Sequence, residues 1–109
     1  DIRPGAKALA FAREVLRDEA DAVHAVAKRL DERFAQAVAI VATCADAGGT
    51  VLATGIGKSA LIGAKIAATM ASLGVPAHSV HPSEAAHGDL GRFRSADVVI
   101  AISFSGETD

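Results

Sequence analysis

VLATGIGKSALIG, residues 51–63, joins an apolar segment to a glycine-rich turn and then to a segment with helical spacing. The small, apolar and partly β-branched residues at 50–54 predict a strand. Apolar residues then recur at three- and four-residue steps from Ser59 to Leu73, which predicts a helix. A strand, a glycine turn and a helix in this order are typical of folds that bind phosphate at a helix start. The stretch therefore predicts a phosphate-binding turn.

Two further strands are predicted after this helix. Gly74 ends the helix, residues 77–80 form a short strand, and Ser83 caps a brief helical turn through His87. DVVIAIS, residues 97–103, is an unbroken apolar run, which is typical of a strand covered on both faces. Strands that alternate with helices indicate βαβ units, so we predict an α/β fold with a parallel sheet.

Two helices are predicted before the sheet. The first covers residues 6–30, and Asp31 caps a second helix that Gly48 and Gly49 stop. We therefore predict leading helices over residues 1–49 and the first part of an α/β domain over 50–109. The apolar stripe of the first helix suits either the core or a dimer interface, and it consists of Leu9, Ala12, Leu16, Ala20, Val23, Ala27 and Leu30.

Composition limits the class of protein. Half of the 109 residues are hydrophobic, which is enough for one small domain with its own core. The net charge is −2 without a basic run, so nothing indicates nucleic-acid binding. The single cysteine suits a reducing compartment, and no apolar run reaches the about 18 residues of a membrane span. We expect a cytoplasmic protein that binds neither nucleic acid nor membrane.

The glycine turn can be compared with two familiar nucleotide-binding motifs. A P-loop needs a glycine, then four residues, then GKS, and with GKS at residues 57–59 the position of that first glycine is Leu52. Residues 55–60 do match the dinucleotide pattern G-x-G-x-x-G/A. The acid that would bind the ribose is absent after the second strand, where residues 80–82 read VHP. The P-loop is excluded, and a nicotinamide cofactor is disfavoured.

A second phosphate signal, SFSGET at residues 103–108, follows the third strand. Ser103, Ser105 and Thr108 offer hydroxyl groups, while Gly106 lets the backbone approach a ligand closely. An ordinary capped turn uses the same residue types. Both loops leave the carboxyl ends of parallel strands, where open α/β sheets bind ligands, so we predict one crevice between them that binds a phosphate.

The loop between them, HPSEAAHGDLG at residues 81–91, is dense in imidazole and carboxylate groups. Such groups suit proton transfer, hydroxyl binding or a metal, and they are also common in solvated loops. A zinc site would use His81, His87 and Asp89, although their spacing matches no standard closed zinc site.

Taken in order, the GKS turn, the HPSEAAHGDLG block and the SFSGET turn closely resemble the sugar isomerase (SIS) domain of the arabinose 5-phosphate isomerases. The resemblance covers residues 51–108. It implies a doubly wound, three-layer αβα sandwich, of which this chain holds the N-terminal part over residues 50–109. It also implies an aldose–ketose isomerase that interconverts D-ribulose 5-phosphate and D-arabinose 5-phosphate through an enediol, for lipopolysaccharide octulosonate synthesis. Homo-oligomers, dimers or tetramers, are expected, with no required cofactor and a possible zinc ion.

The resemblance also implies roles for single residues. Lys58 falls on the catalytic lysine, and a cation there would suit the oxyanion that develops during isomerisation. His81 matches a position that also binds zinc in such families. The family's catalytic glutamates and a further histidine lie beyond Asp109, so we expect this chain to carry half of a site. The implied substrate-binding residues are Gly55, Gly57, Ser59, Gly74, Val75, His81, His87, Ser103, Ser105, Gly106 and Thr108.

An alternative function is a non-catalytic SIS module that binds a sugar phosphate as a sensor. Such a module keeps the serine turn and lacks the acid–base residues, which is the pattern found up to Asp109. Glutamates and regulatory repeats in the sequence that follows would favour the enzyme, and a DNA-binding segment before Asp1 would favour a regulator.

Overall fold

The computed structural model describes residues 4–86 and 93–107, which form four helices and three strands. The chain forms two compact units, residues 1–35 and 36–109. The division predicted from the sequence, 1–49 and 50–109, stays a prediction. The elements are α1 (Pro4–Arg29), α2 (Glu32–Asp46), β1 (Val51–Gly55), α3 (Lys58–Ser72), β2 (Ala77–Ser79), α4 (Pro82–Ala86) and β3 (Val98–Ile102).

The first unit contains α1, which has no buried residue. Pro4 occupies the first helical position, where its missing N–H costs no hydrogen bond. Lys28 and Arg29 lie in the last turn, where positive charge is favourable beside the free carbonyl groups. None of the helices in the described parts of the chain is both long enough and apolar enough to cross a membrane.

Asp31 caps α2, as predicted. Its Oδ1 accepts the backbone N–H of Arg33 at 2.9 Å, and its Oδ2 pairs with the Arg33 guanidinium at 2.9 Å. These hydrogen bonds, the side-chain contact first, lower the pKa of Asp31. The cap satisfies one of the free amides of the first turn of α2.

The carboxyl end of α2 also follows the prediction. The N–H of Gly49 donates to the carbonyl of Cys44 at 2.8 Å, and that of Gly48 donates to Ala45 at 3.1 Å. This pair of hydrogen bonds, with Gly48 at φ 75°, forms a Schellman motif that satisfies the last carbonyl groups. The chain then turns directly into β1.

The three strands form a parallel sheet in the order β2-β1-β3. Val51 of the central strand pairs with Ala77 of β2 and with Val98 of β3. The chain moves from β1 to β2 on one side and then crosses to the other side of β1, so a topological switch point lies between β1 and β3. The predicted α/β class with a parallel sheet is confirmed.

The core lies under the central strand. Val51, Leu52 and Ala53 are buried, as expected for a parallel strand covered on both faces. Helix α3 packs across all three strands, and it can lie close to them because two small residues, Gly63 and Ala67, face the sheet side and are buried. A Cβ added at Gly63 would lie 3.5 Å from the Cβ of Ala53.

Coverage of β3 differs from the expectation. Its residues alternate between half-buried and exposed, and the side chain of Val99 is 52% exposed. Within the parts of the chain that the structure describes, β3 pairs only with β1 and one of its faces is open. The apolar run therefore predicted the strand correctly but not its surroundings, because burial on the second face depends on what packs there.

Asp97 joins the amino ends of β1 and β3. Its Oδ1 accepts the N–H of Thr50 at 2.8 Å, and its Oδ2 accepts the N–H of Arg94 at 2.9 Å. The N–H of Val98 donates in turn to the carbonyl of Thr50 at 3.1 Å. The backbone hydrogen bonds from Arg94 and then Thr50 favour the carboxylate and lower the pKa of Asp97.

We expect the substitution Asp97→Asn to lower the melting temperature at pH 7 by a few degrees. The side-chain NH2 group of asparagine would face one of the two backbone N–H groups, so that two donors would point at each other. The folded pKa of Asp97 lies below its unfolded value of about 3.9, so its contribution is present at neutral pH and is lost as pH falls below about 4. The variant should therefore lose less stability than the parent over that acidic range.

Thermal unfolding followed by circular dichroism between pH 7 and pH 2.5 measures this difference. Asp21→Asn is the control, because Asp21 is exposed on α1 and has no hydrogen bond with a described residue. Equal melting temperatures for Asp97→Asn and the parent protein at pH 7 would contradict the role assigned to Asp97.

Candidate functional site

Three loops converge at the carboxyl edge of the sheet. Gly55 and Ile102 are register partners at the last pairing of β1 with β3, so the turn at residues 56–57 and the serine turn at 103–107 leave adjacent strand ends. The segment after β2, which begins at residue 80, leaves the same edge on the other side of β1. The two predicted phosphate loops therefore lie side by side.

The backbone of the glycine turn requires glycine at two positions. Gly57, the N-cap of α3, has φ 64° and ψ −130°, a conformation that side chains with a Cβ rarely adopt. A Cβ added at Gly55 would lie 2.9 Å from the carbonyl carbon of Ser59 and 3.0 Å from the carbonyl oxygen of Ile102. No side chain of a described residue caps α3, and the N–H of Ala60 donates to the carbonyl of Gly57 at 3.1 Å. The amides of Lys58 and Ser59 are therefore the ones left for an anion.

Lys58, the predicted catalytic residue, is the first residue of α3. Its side chain is exposed and forms no hydrogen bond or ion pair with any residue that the structure describes. A positive charge is unfavourable at a helix start, where the free N–H groups already carry partial positive charge. Ser59, the next residue, is half-buried against the turn. Both directly follow the glycine turn, but neither lines the two cavities found at this edge. An anion bound at the turn would offset the repulsion.

Two cavities adjoin at this edge. One has a volume of about 270 Å³ on the β2 side, and the other has about 170 Å³ on the β3 side. Thr54 and Gly55 line both of them. The first cavity is completed by Ala53, Ala60, Ser79, Val80, His81 and Glu84. The second is completed by Ile56, Pro82, Ala101, Ile102 and Ser103.

A larger cavity, of about 360 Å³, lies elsewhere, between α2 and the start of β3. Its lining is mainly apolar, and Asp97, the one charged residue among the described lining, already accepts two backbone hydrogen bonds. It also lies at the amino ends of the strands, whereas open α/β sheets bind ligands at the carboxyl ends. The smaller cavities at the carboxyl edge are therefore the better candidates for a functional site.

His81 caps α4 with its imidazole ring. Its Nδ1 accepts the backbone N–H of Ser83 at 3.1 Å and lies 2.7 Å from the Ser83 hydroxyl. Because a backbone N–H can only donate, Nδ1 is unprotonated and the neutral ring carries its hydrogen on Nε2. The prediction that Ser83 caps this helix was wrong: Ser83 lies inside α4, and the residue before Pro82 supplies the acceptor.

The described residues do not form a metal site. No three histidine, cysteine or acidic side chains in the described ranges lie close enough together to hold an ion. The Nδ1 of His81 is occupied by a backbone N–H, so its Nε2 presents a hydrogen rather than the lone pair that zinc needs. His87 and Asp89, the other predicted ligands, lie outside the described residues.

The serine turn is held together by its own hydroxyl groups. Ser103 Oγ accepts the N–H of Gly106 at 2.9 Å, and Ser105 Oγ accepts the N–H of Glu107 at 3.1 Å. These two amides are therefore satisfied within the turn, and a ligand would meet hydroxyl donors such as that of Ser105 instead. The predicted helix start at 107–108 and the predicted contact at Thr108 extend beyond the described residues.

Gly74 and Val75 lie far from this edge. Helix α3 starts at the carboxyl edge and runs back across the sheet, and its 15 residues span about 22 Å. At its end the N–H of Val75 donates to Met70 at 3.0 Å and that of Gly74 donates to Ala71 at 3.1 Å. The structure does not bring these two predicted contacts to the crevice, and their role stays a prediction.

Thr54 is a crevice residue that the sequence patterns did not single out. Its Oγ1 is buried and has no hydrogen-bond partner among the residues that the structure describes. A buried hydroxyl without a partner costs about 1–3 kcal/mol, so it stands out in a strand that is otherwise apolar. The only available signal was the threonine itself, in front of the glycine turn.

Comparisons with known proteins agree with this architecture. The family model described as SIS domain matches residues 44–109. The arabinose 5-phosphate isomerase KdsD of Yersinia pestis is 42% identical over 109 residues, which is 100% of this chain and 32% of the relative. The arabinose 5-phosphate isomerase GutQ of Escherichia coli K12 is 48% identical over 94 residues, 86% of this chain and 28% of the relative.

A solved structure is similar as well. An E. coli CFT073 protein in complex with arabinose 5-phosphate matches with a TM-score of 0.87 and 39% identity, over 97% of this chain and 55% of that chain. The chain thus spans about a third of the length of the curated relatives that it matches, 32% of KdsD and 28% of GutQ. Because the family model covers residues 44–109, more than half of the chain, this chain belongs to the SIS domain family.

Proposed function

We propose that the protein is an aldose–ketose isomerase that interconverts D-arabinose 5-phosphate and D-ribulose 5-phosphate. The observation that carries the proposal is the convergence of the glycine turn and the serine turn beside the Gly55–Ile102 pairing, in a chain related over its whole length to an isomerase of this substrate. A cytoplasmic location and a role in supplying lipopolysaccharide octulosonate synthesis are part of the same proposal.

The phosphate group would bind at the two turns. The uncapped first amides of α3 and the exposed Lys58 provide positive potential on one side, and the hydroxyl of Ser105 provides a donor on the other. The rest of the sugar would then extend into the neighbouring cavity, which His81 and Glu84 line. The phosphate is thus the anchor, and the reacting carbons lie against the polar side chains.

The reaction moves a proton between C1 and C2 through an enediol. A base removes the proton at C2 or C1, and a positive group stabilises the negative charge that develops on the carbonyl oxygen. We assign the second role to Lys58, because its ammonium group is free of partners among the described residues. The Nε2–H of neutral His81 is positioned to donate to a substrate oxygen. The family resemblance implies that the catalytic glutamates follow Asp109, so we assign the base to none of the described residues.

Substituting Lys58 by Met tests this assignment. We expect kcat to fall by about 10²–10³-fold, the usual effect of removing one group that stabilises an oxyanion, while the melting temperature does not fall. A coupled assay of ketose formation measures the rate. Lys65→Met is the matched control, because Lys65 is exposed on the same helix away from its first turn. Full turnover by Lys58→Met would remove the lysine from the mechanism.

A non-catalytic sugar-phosphate sensor is the second candidate. The described crevice has few side chains that could act as an acid or a base, and this favours a sensor. They are His81, which has one ring nitrogen already engaged, and Glu84. Titration calorimetry with D-arabinose 5-phosphate, run beside the activity assay, separates the two functions. Binding with turnover supports the isomerase, and binding without turnover supports the sensor.

We further propose that the isomerase requires no metal cofactor, because the Nδ1 of His81 accepts a backbone N–H and its Nε2 then presents a hydrogen rather than a lone pair. Turnover should be unchanged after dialysis against a chelator, with the metal content checked by elemental analysis. Loss of activity that returns when zinc is added would contradict the proposal. Inhibition by added zinc would agree with a metal that binds but is not needed.

Finally, we propose a homo-oligomer, a dimer or tetramer, assembled through the apolar stripe of α1. Leu9, Leu16 and Val23 recur every seven residues, and each is more than half exposed. This spacing is typical of helices that pack side by side. An apolar stripe of this length is unfavourable in contact with water, so we expect another helix to pack against it.

The substitution Leu16→Glu should therefore reduce the molar mass measured by light scattering to that of a smaller assembly. Ala25→Glu is its matched control, because it adds the same charge nine residues later on the opposite face of the helix. An unchanged mass for Leu16→Glu, or an equal loss in both variants, would contradict the use of this stripe.

A further inference from the structure

Thr54 lies beneath the point where the two cavities meet. It is the fourth of the five residues of β1, directly before Gly55, and it lines both cavities. Its Oγ1 is buried and has no hydrogen-bond partner within the described ranges. Among the described candidate site residues, it is the one whose buried polar group is left unsatisfied.

Neighbouring strands do not explain this hydroxyl group. The register partner of Thr54 on β3 is Ala101, which has no polar side-chain atom. On the other side, pairing with β2 ends one residue earlier, at Ala53 and Ser79. Valine has the same shape, forms strands at least as well and would leave no unpaired group. A threonine at this position is therefore unfavourable for the ligand-free fold alone.

A ligand in the crevice would supply the missing partner. The methyl and hydroxyl groups of threonine exchange places by rotation about χ1, so Oγ1 can be turned toward either cavity without movement of the strand. A single neutral hydroxyl both donates and accepts, which suits a sugar hydroxyl better than a phosphate. The phosphate is already assigned the first amides of α3 and the hydroxyl group of Ser105, since the amides of the serine turn are engaged within it.

We propose that the hydroxyl of Thr54 is a specificity-determining contact to a sugar hydroxyl of the bound substrate. This assignment rests on the proposed isomerase function and refines it. Thr54 would hold the carbon chain of the sugar, whereas the glycine turn and the serine turn would hold its phosphate. The contact selects polyhydroxylated sugar phosphates over phosphate esters that lack a hydroxyl group at the same carbon.

Two variants of the full chain test the assignment, Thr54→Val and Thr54→Ser. Without ligand, Thr54→Val should melt at the same temperature as the parent or higher, because an unsatisfied hydroxyl has been replaced by a methyl group of the same shape. Its affinity for D-arabinose 5-phosphate should be about tenfold weaker by calorimetry, the effect of one lost hydrogen bond that leaves a substrate hydroxyl unpaired. Thr54→Ser should bind within about threefold of the parent.

Inorganic phosphate is the second probe, and it should bind the parent protein and both variants equally. Equal affinity of Thr54→Val and the parent for the sugar phosphate would overturn the Thr54 assignment and leave the isomerase proposal standing. A lower melting temperature for ligand-free Thr54→Val would also overturn it, because the hydroxyl would then have a partner in the protein. A parent protein that binds inorganic phosphate but not D-arabinose 5-phosphate would overturn both proposals.

Discussion

The close contact between the end of β1, the start of α3 and the end of β3 is the constraint on which the crevice depends. At Gly55 the backbone leaves no room for a side chain, since a Cβ would lie within 3.0 Å of atoms on both neighbouring elements. Because the strand ends so near the helix, only Ile56 and Gly57 separate β1 from α3. The free amides of the helix therefore lie at the sheet edge, next to the serine turn, rather than several residues away.

The two edges of the sheet are built differently. At the amino edge, one carboxylate, that of Asp97, accepts the backbone amides of Thr50 before β1 and of Arg94 before β3. At the carboxyl edge, the helix start has no side-chain cap and one threonine hydroxyl has no partner among the described residues. Unsatisfied groups thus collect where the proposed substrate binds, and satisfied groups collect where the strands are joined.

Much of this arrangement could be predicted from local sequence. The helix cap at Asp31 and the stop after α2 depend on residue types within a few positions of each other. The parallel sheet follows from the alternation of strands and helices along the chain. The same holds for the juxtaposition of the two turns, which follows from parallel strands. Related sequences indicate the substrate on which the related proteins act, but they do not show where the side chains of this crevice lie.

Other features could not be predicted, one because an uncommon residue type acts as a helix cap and the others because they depend on contacts between distant residues. The cap on α4 is a local contact from the ring of His81 to the Ser83 amide, but the residue types favoured at helix caps indicated Ser83 instead. The open face of β3 depends on what packs against it, and the unsatisfied hydroxyl of Thr54 depends on an alanine 47 residues away. In each case the sequence pattern predicts the strand or turn, but it does not predict which residues pack against that element.

The strand order has a consequence for how the chain folds. Residues paired between β1 and β2 are 26 positions apart, as in Val51 with Ala77, whereas those paired between β1 and β3 are 47 apart, as in Val51 with Val98. Closing the longer loop costs about 0.5 kcal/mol more chain entropy and needs contacts of higher sequence separation, which form late. The β1-α3-β2 unit is therefore expected to assemble first, with the glycine turn already shaped. We expect β3 to join this unit afterwards, so that the crevice forms only when the two turns meet.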